Sequence, residues 1–206
     1  MVNPRFLQTA ERWMNEELPA NGSMNMESTT GITLDIKSLT RDYRPGITQT
    51  IGSYMAEAIV VCLDSQNHKS NAVLTVKGSF HGKYTLDFEP ATDRMRRGHN
   101  DAEVATENGA YGISILLIDF NTDLTVIERS RKGTGFDYWL GLKTSPAPYF
   151  QQKARLEVSG IRHGTDGAVD SRVKTKLEQT RRSDGSLPAY VAVIEFGSPK
   201  AKVVEK

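Results

Sequence analysis

The stretch LTVIERSRKGTGFDYWLGL (residues 124–142) reads as two strands joined by a tight turn. Leu124 to Arg129 is rich in β-branched residues, and Lys132-Gly133-Thr134-Gly135 supplies the turn. Phe136 to Leu142 then forms the second strand, whose alternation puts Asp137, Trp139 and Gly141 on one face. A loop with Pro146 and Pro148 leads to a third strand, ARLEVSGI (residues 154–161). There Arg155, Glu157, Ser159 and Ile161 share a face, opposite Leu156 and Val158.

Helices bracket these strands. Asn100 or Asp101 can cap a helix carrying Val104, Tyr111, Ile115 and Ile118 at helical spacing. Its Gly109 and Gly112 cost helix stability and are expected to permit close packing against a sheet. Asp170 to Arg182 reads as a polar, basic helix with Val173 and Leu177 as its few apolar contacts. Tyr190 to Phe196 is the most apolar strand, predicted to be central and covered on both faces. The order is helix, three strands, helix, strand.

The first half reads as an α/β extension over residues 1–98, packed on a core of residues 99–206. Asn3-Pro4 opens a predicted amphipathic helix with Phe6, Leu7, Ala10, Trp13, Met14 and Leu18 on one face. That face must bury against the chain or against a partner protein. A strand at Ile32, Leu34 and Ile36 follows, then a helix from Ile47 to about Gln66, then strands around Val73 and around Tyr84 to Phe88.

With 26 Lys and Arg against 25 Asp and Glu, bulk charge alone does not hold this protein on nucleic acid. Cys62, in an apolar run, is the single cysteine, which excludes an intrachain disulfide and a cysteine zinc cluster. The start carries no signal-peptide pattern and no segment has the length of a membrane span, so a cytoplasmic location is expected. His68, His81, His99 and His163 lack ligand spacing. Gly133-Thr134-Gly135 lies between two strands, a hairpin turn rather than a phosphate loop.

If the second and third strands pair, Asp137 and Glu157 meet at one end of the sheet. Two neighbouring carboxylates repel, and burial is costly unless a cation neutralises them. A hard divalent ion, Mg²⁺ above all, does this and can activate water against a phosphodiester.

The element order from Asp101 to Phe196, with Gly135-Phe136-Asp137 and Leu156-Glu157-Val158-Ser159, resembles the PD-(D/E)XK nuclease superfamily. The resemblance covers the second half and implies a restriction-endonuclease-like core, α-β-β-β-α-β, with a mixed sheet flanked by helices. It implies Asp137, Glu157 and Val158 as Mg²⁺-holding positions. A helix glutamate joins them, Glu107 ahead of Glu103. The implied setting is restriction, repair or defence against foreign DNA, with DNA favoured over RNA as the partner.

Two departures stand out. Ser159 occupies the position of the superfamily's lysine, and Phe136 replaces the proline before the first acid. A serine hydroxyl cannot offset charge in the transition state as a lysine does. Lys153, Lys176 and Gln179 are candidates to take that role, and otherwise the site is inactive. Arg94, Arg96 and Arg97 form one basic cluster. Arg172, Lys174, Lys176, Arg181 and Arg182 form a second, read as either a solvated face or a phosphate-contacting surface. Three functions stay open: a Mg²⁺-dependent endonuclease, an inactive nuclease-fold subunit that binds nucleic acid or protein, and an unrelated α/β interaction domain. The oligomeric state is open too.

Overall fold

The computed structural model describes residues 31–144, 151–181, 185 and 187–206. The predicted helix at Asn3–Leu18, the Pro146–Pro148 loop and Arg182 lie outside the described residues. Strands are β1 (Ile32–Asp35), β2 (Ala72–Gly78), β3 (Gly82–Asp87), β4 (Leu124–Arg129), β5 (Tyr138–Leu142), β6 (Ala154–Ile161), β7 (Ala189–Glu195) and β8 (Lys200–Glu205). Helices are α1 (Gln49–Ser65), α2 (Asp93–Gly98), α3 (Ala102–Asn121) and α4 (Asp166–Thr180), with a 3₁₀ turn at Ile36–Thr40.

All eight strands join one mixed sheet in the order β1-β3-β2-β8-β7-β6-β5-β4. The protein is therefore an α/β protein with one eight-stranded sheet and four helices among the described residues. The strands of the first half are continuous with those of the second, because β2 pairs in parallel with β8. Lys200–Glu205 has no counterpart in the sequence reading. Its alternation of lysine with Ala201 and Val203 is short and charged, yet β7 needs a partner on that side and pairs with it antiparallel.

β7 is buried at every position, as its composition predicts. Its even-numbered residues, Tyr190, Ala192 and Ile194, pack into the main core with α1 and α3. Val191 and Val193 meet Val169 and Val173 of α4 on the opposite face. Period-two alternation thus places α1 and α3 on one side and α4 on the other.

Local chemistry fixes the helix ends. Asp101 caps α3 by accepting from the Glu103 and Val104 amides, and Thr165 caps α4 by accepting from Ala168. The Thr165 cap starts α4 at Asp166, four residues before the apolar spacing alone suggests. The far end of α3 is tied by a buried ion pair, Arg44 Nε to Asp119 Oδ2 at 2.5 Å.

The α3 glycines do not serve the sheet alone. A β-carbon on Gly112 would meet Ile59, Leu39 and Met55, and one on Gly109 would meet the ring of Phe196 and the backbone of Ala58. Their main partner is α1, a helix of the first half. The close approach of sheet to α3 is made by a different glycine, Gly160 of β6. A β-carbon there would lie 2.5 Å from the Thr106 carbonyl oxygen.

No helix among the described residues is long and apolar enough to cross a membrane. Gly160→Ala is expected to lower stability by about 1–3 kcal/mol, the usual cost of forcing volume into a packed contact. Chemical denaturation checks this, and a midpoint equal to the parent's would show that α3 and β6 can move apart freely.

Candidate functional site

β5 and β6 pair antiparallel with Tyr138 opposite Leu156, Trp139 opposite Arg155 and Leu140 opposite Ala154. One step beyond the end of this ladder, the register sets Asp137 opposite Glu157. Asp137 sits just before β5 rather than within it, and its amide still donates to the Leu156 carbonyl at 2.8 Å. Its side chain takes over where the ladder stops, with Oδ2 accepting from the Val158 amide at 2.8 Å. In an extended strand a residue's N–H and C=O point to the same edge, so the Val158 carbonyl faces this side too.

A cavity of about 500 Å³ opens here, lined by Glu107, Tyr111, Asp137, Glu157, Gln179 and the turn from Arg129 to Phe136. Four of the five predicted catalytic positions, Asp137, Glu157, Glu107 and Gln179, therefore meet at one place. Lys153 does not join them. It is exposed just before β6, and at about 3.3 Å per residue its backbone is some 13 Å along the chain from Glu157. Glu103 is exposed outside the lining, so Glu107 is the helix acid that reaches the cavity.

Glu157 is 5 % exposed and lies beside the Asp137 carboxyl. Burial and then the Asp137 charge push its acid up to about 7, against the pull of Lys176. Lys176 Nζ lies 2.6 Å from Glu157 Oε1. Two further contacts repeat the pattern: Arg172 Nη1 donates to Ser159 Oγ at 2.9 Å, and Arg155 Nη1 to the Thr180 carbonyl at 3.4 Å. Four residues of helix advance about 6 Å and two residues of strand about 6.6 Å. The polar stripe of α4 at residues 172, 176 and 180 therefore matches the stripe of β6 at 159, 157 and 155. Lys176 is thus turned inward and half-buried, while Arg172 reaches Ser159 from an exposed position. Lys174 and Arg181 are exposed too, with Arg181 paired to Glu178.

The α3 side contributes Tyr111, read from the sequence only as an apolar position of the helix. Its hydroxyl lies 2.6 Å from Glu107 Oε1 and 3.0 Å from Asp137 Oδ1, and accepts from Arg129 Nη2 at 3.1 Å. Burial, the Asp137 charge and the Glu107 hydrogen bond all push the phenol well above its ordinary value. The Arg129 guanidinium stacks 4.7 Å from the Tyr111 ring and 5.0 Å from the Tyr138 ring, and donates to the Tyr138 hydroxyl. The spacing of Glu107 and Tyr111, four residues apart on one helix face, is the one signal that could have linked them in advance.

Among the described residues no three His, Cys, Asp or Glu side chains gather into a metal-holding group. Arg94, Arg96 and Arg97 lie on α2, just before the core helix as expected, but none lines the cavity, and Arg96 pairs with Asp93 of α2 and Asp64 of α1. No family model, curated protein or solved structure matches the chain.

The raised acid of Glu157 has a consequence for stability. Its folded value, about 7, lies above the ordinary 4.5, so the folded protein holds this proton more tightly than the unfolded chain. The resulting stabilisation is complete below pH 4.5 and is lost as pH rises through about 7. Between those limits Glu157→Gln is expected to flatten the fall in stability with pH, as read by urea midpoints. Parallel profiles for the two proteins would mean that Glu157 titrates like a solvated acid.

Proposed function

We propose that this protein is a metal-dependent nuclease of the restriction-endonuclease-like kind, hydrolysing phosphodiester bonds in nucleic acid. The observation that carries the reading is the pairing of Asp137 with a buried Glu157 at the end of the β5–β6 ladder, beside a lysine. The core α3-β4-β5-β6-α4-β7 supports it through the same element order that the sequence resemblance rests on.

The donor set fits Mg²⁺. Mg²⁺ is commonly held by one or two carboxylates together with substrate phosphates and water, so a third protein acid is not required. Asp137, Glu157 and the Val158 carbonyl would hold it, and the high acid of Glu157 marks a place short of positive charge. Bound there, the ion would supply Lewis-acid polarisation of the phosphate and a more acidic water.

The chain's own residues carry the remaining roles. Lys176, reaching the acid from α4, takes the part of the lysine that Ser159 replaces. Its ammonium holds Glu157 in place and offsets negative charge as water adds to phosphorus and the ester oxygen leaves. Arg172 sets Ser159 beside it. Tyr111 fixes Asp137 and Glu107 relative to each other through one hydroxyl. Gln179, on the cavity wall, can orient water.

A second reading, an inactive scaffold that binds nucleic acid or protein, is favoured by one specific observation. Glu107 Oε1, both Asp137 oxygens and Glu157 Oε1 each already have a protein partner. In that reading the cluster is a satisfied structural network.

Plasmid, single-stranded DNA and RNA incubated with Mg²⁺ or Mn²⁺ separate the two. Cleavage by the parent is expected, with losses of about 100-fold or more in Asp137→Ala and Lys176→Met. Cleavage that survives Asp137→Ala would contradict the nuclease. Binding without cleavage would establish the scaffold.

A further inference from the structure

We propose that the β4–β5 turn is the backbone-phosphate subsite of this cleft, with Arg131 and Lys132 as its two contacts. The inference rests on reading the cleft as a nucleic-acid site and names where the polyanion is held.

A cavity walled by Glu107, Asp137 and Glu157 repels a phosphate unless free cations stand at its mouth. Most of the cations around it are engaged. Lys176 pairs with Glu157, Arg172 holds Ser159, Arg181 pairs with Glu178, and Arg129 is committed to Tyr111 and Tyr138. Arg131 and Lys132 line the same cavity, are exposed, and carry no side-chain ion pair or hydrogen bond among the described residues. Among the described residues lining the cavity, they are the positive charges without a side-chain partner.

The turn that presents them is fixed. The Ser130 amide donates to the Asp137 carbonyl at 2.7 Å, tying the turn to the residue that carries the acid. Thr134 closes it from within, its hydroxyl 2.5 Å from Ser130 Oγ and 2.9 Å from the Arg131 carbonyl. Gly133 and Gly135 adopt φ of 97° and 84°, conformations that favour glycine. Two cations are thus held on a short, braced hairpin that shares a backbone hydrogen bond with Asp137. This assigns to the turn the backbone contact that the sequence suggested for α4, whose Arg172 and Lys176 are engaged by Ser159 and Glu157 and do not line the cavity.

The test is fluorescence anisotropy of the full chain with 20-mer duplex DNA, single-stranded DNA and RNA, in EDTA so that nothing is cut. Arg131→Ala/Lys132→Ala is compared with the parent and with Lys174→Ala/Arg181→Ala on α4. Removing two phosphate contacts is expected to make the slope of log affinity against log salt shallower by about 1.8 for duplex or about 1.4 for a single strand. Affinity at 0.1 M salt should fall roughly 10-fold or more. Binding to one of the three nucleic acids that depends on the turn in this way supports the subsite and identifies the strand form. An unchanged slope, an equal loss in the α4 variant, or no salt-dependent binding by the parent overturns it. Turn-dependent binding by a parent that cleaves nothing with Mg²⁺ would leave the subsite standing and remove the hydrolytic reading.

Discussion

The end of the β5–β6 ladder governs the arrangement of the site. Pairing stops at Tyr138 and Leu156, and the next amide of β6 facing that edge, Val158, needs an acceptor. Asp137 supplies it with a side-chain oxygen in place of a carbonyl. A carboxylate at that position is set by the backbone to within the reach of Glu157, its opposite number in the continued register. Nothing flexible intervenes, since both acids hang from paired strands and β6 lies next to the fully buried β7. The cost of burying two acids side by side is met by a proton, by Lys176 and, in the proposed reaction, by a divalent ion.

The commensurate spacing of α4 and β6 explains how a basic helix can serve a buried acid. An α-helix repeats a face near every fourth residue and a strand every second, and the two advances are almost equal. A stripe of long cationic side chains on the helix can therefore address a polar stripe on the strand without strain in either backbone. Two residues of the stripe, Arg172 and Lys176, deliver positive charge to the part of the sheet where Ser159 stands. On the opposite side, Tyr111 joins Glu107 to Asp137, and Arg129 locks Tyr111 by stacking. The cavity lies between these two supports, open toward the turn.

Much of this was legible in the sequence where periodicity was strong. Leu124–Arg129 and Ala154–Ile161 have the same bounds in the structure as in the sequence, and Asp137 and Glu157 meet as their strand phases suggested, with Glu107 and Gln179, which the resemblance pointed to, lining the same cavity. Strand phase says which face a residue takes, and a short connection says which strands pair. Other features depend on contacts remote in sequence. The partner of Gly109 and Gly112 is a helix some fifty residues earlier, so local pattern could not distinguish it from a sheet. β8 is too short and too charged to declare itself, and it exists because β7 and β2 each require a neighbour. A lysine in a basic run reads as solvated until the strand beneath it is known to carry an acid. Tyr111 was hidden because an aromatic at helical spacing serves equally as core.

The most direct measurement of the central claim is the carboxyl ¹³C titration of Glu157 by NMR, with and without Mg²⁺. A midpoint near pH 7 without the ion, falling by more than one unit when it is added, is expected if the two acids share a buried site short of one cation. A midpoint near 4.5 in both conditions would contradict it, because the pair would then be neither buried together nor in need of a metal.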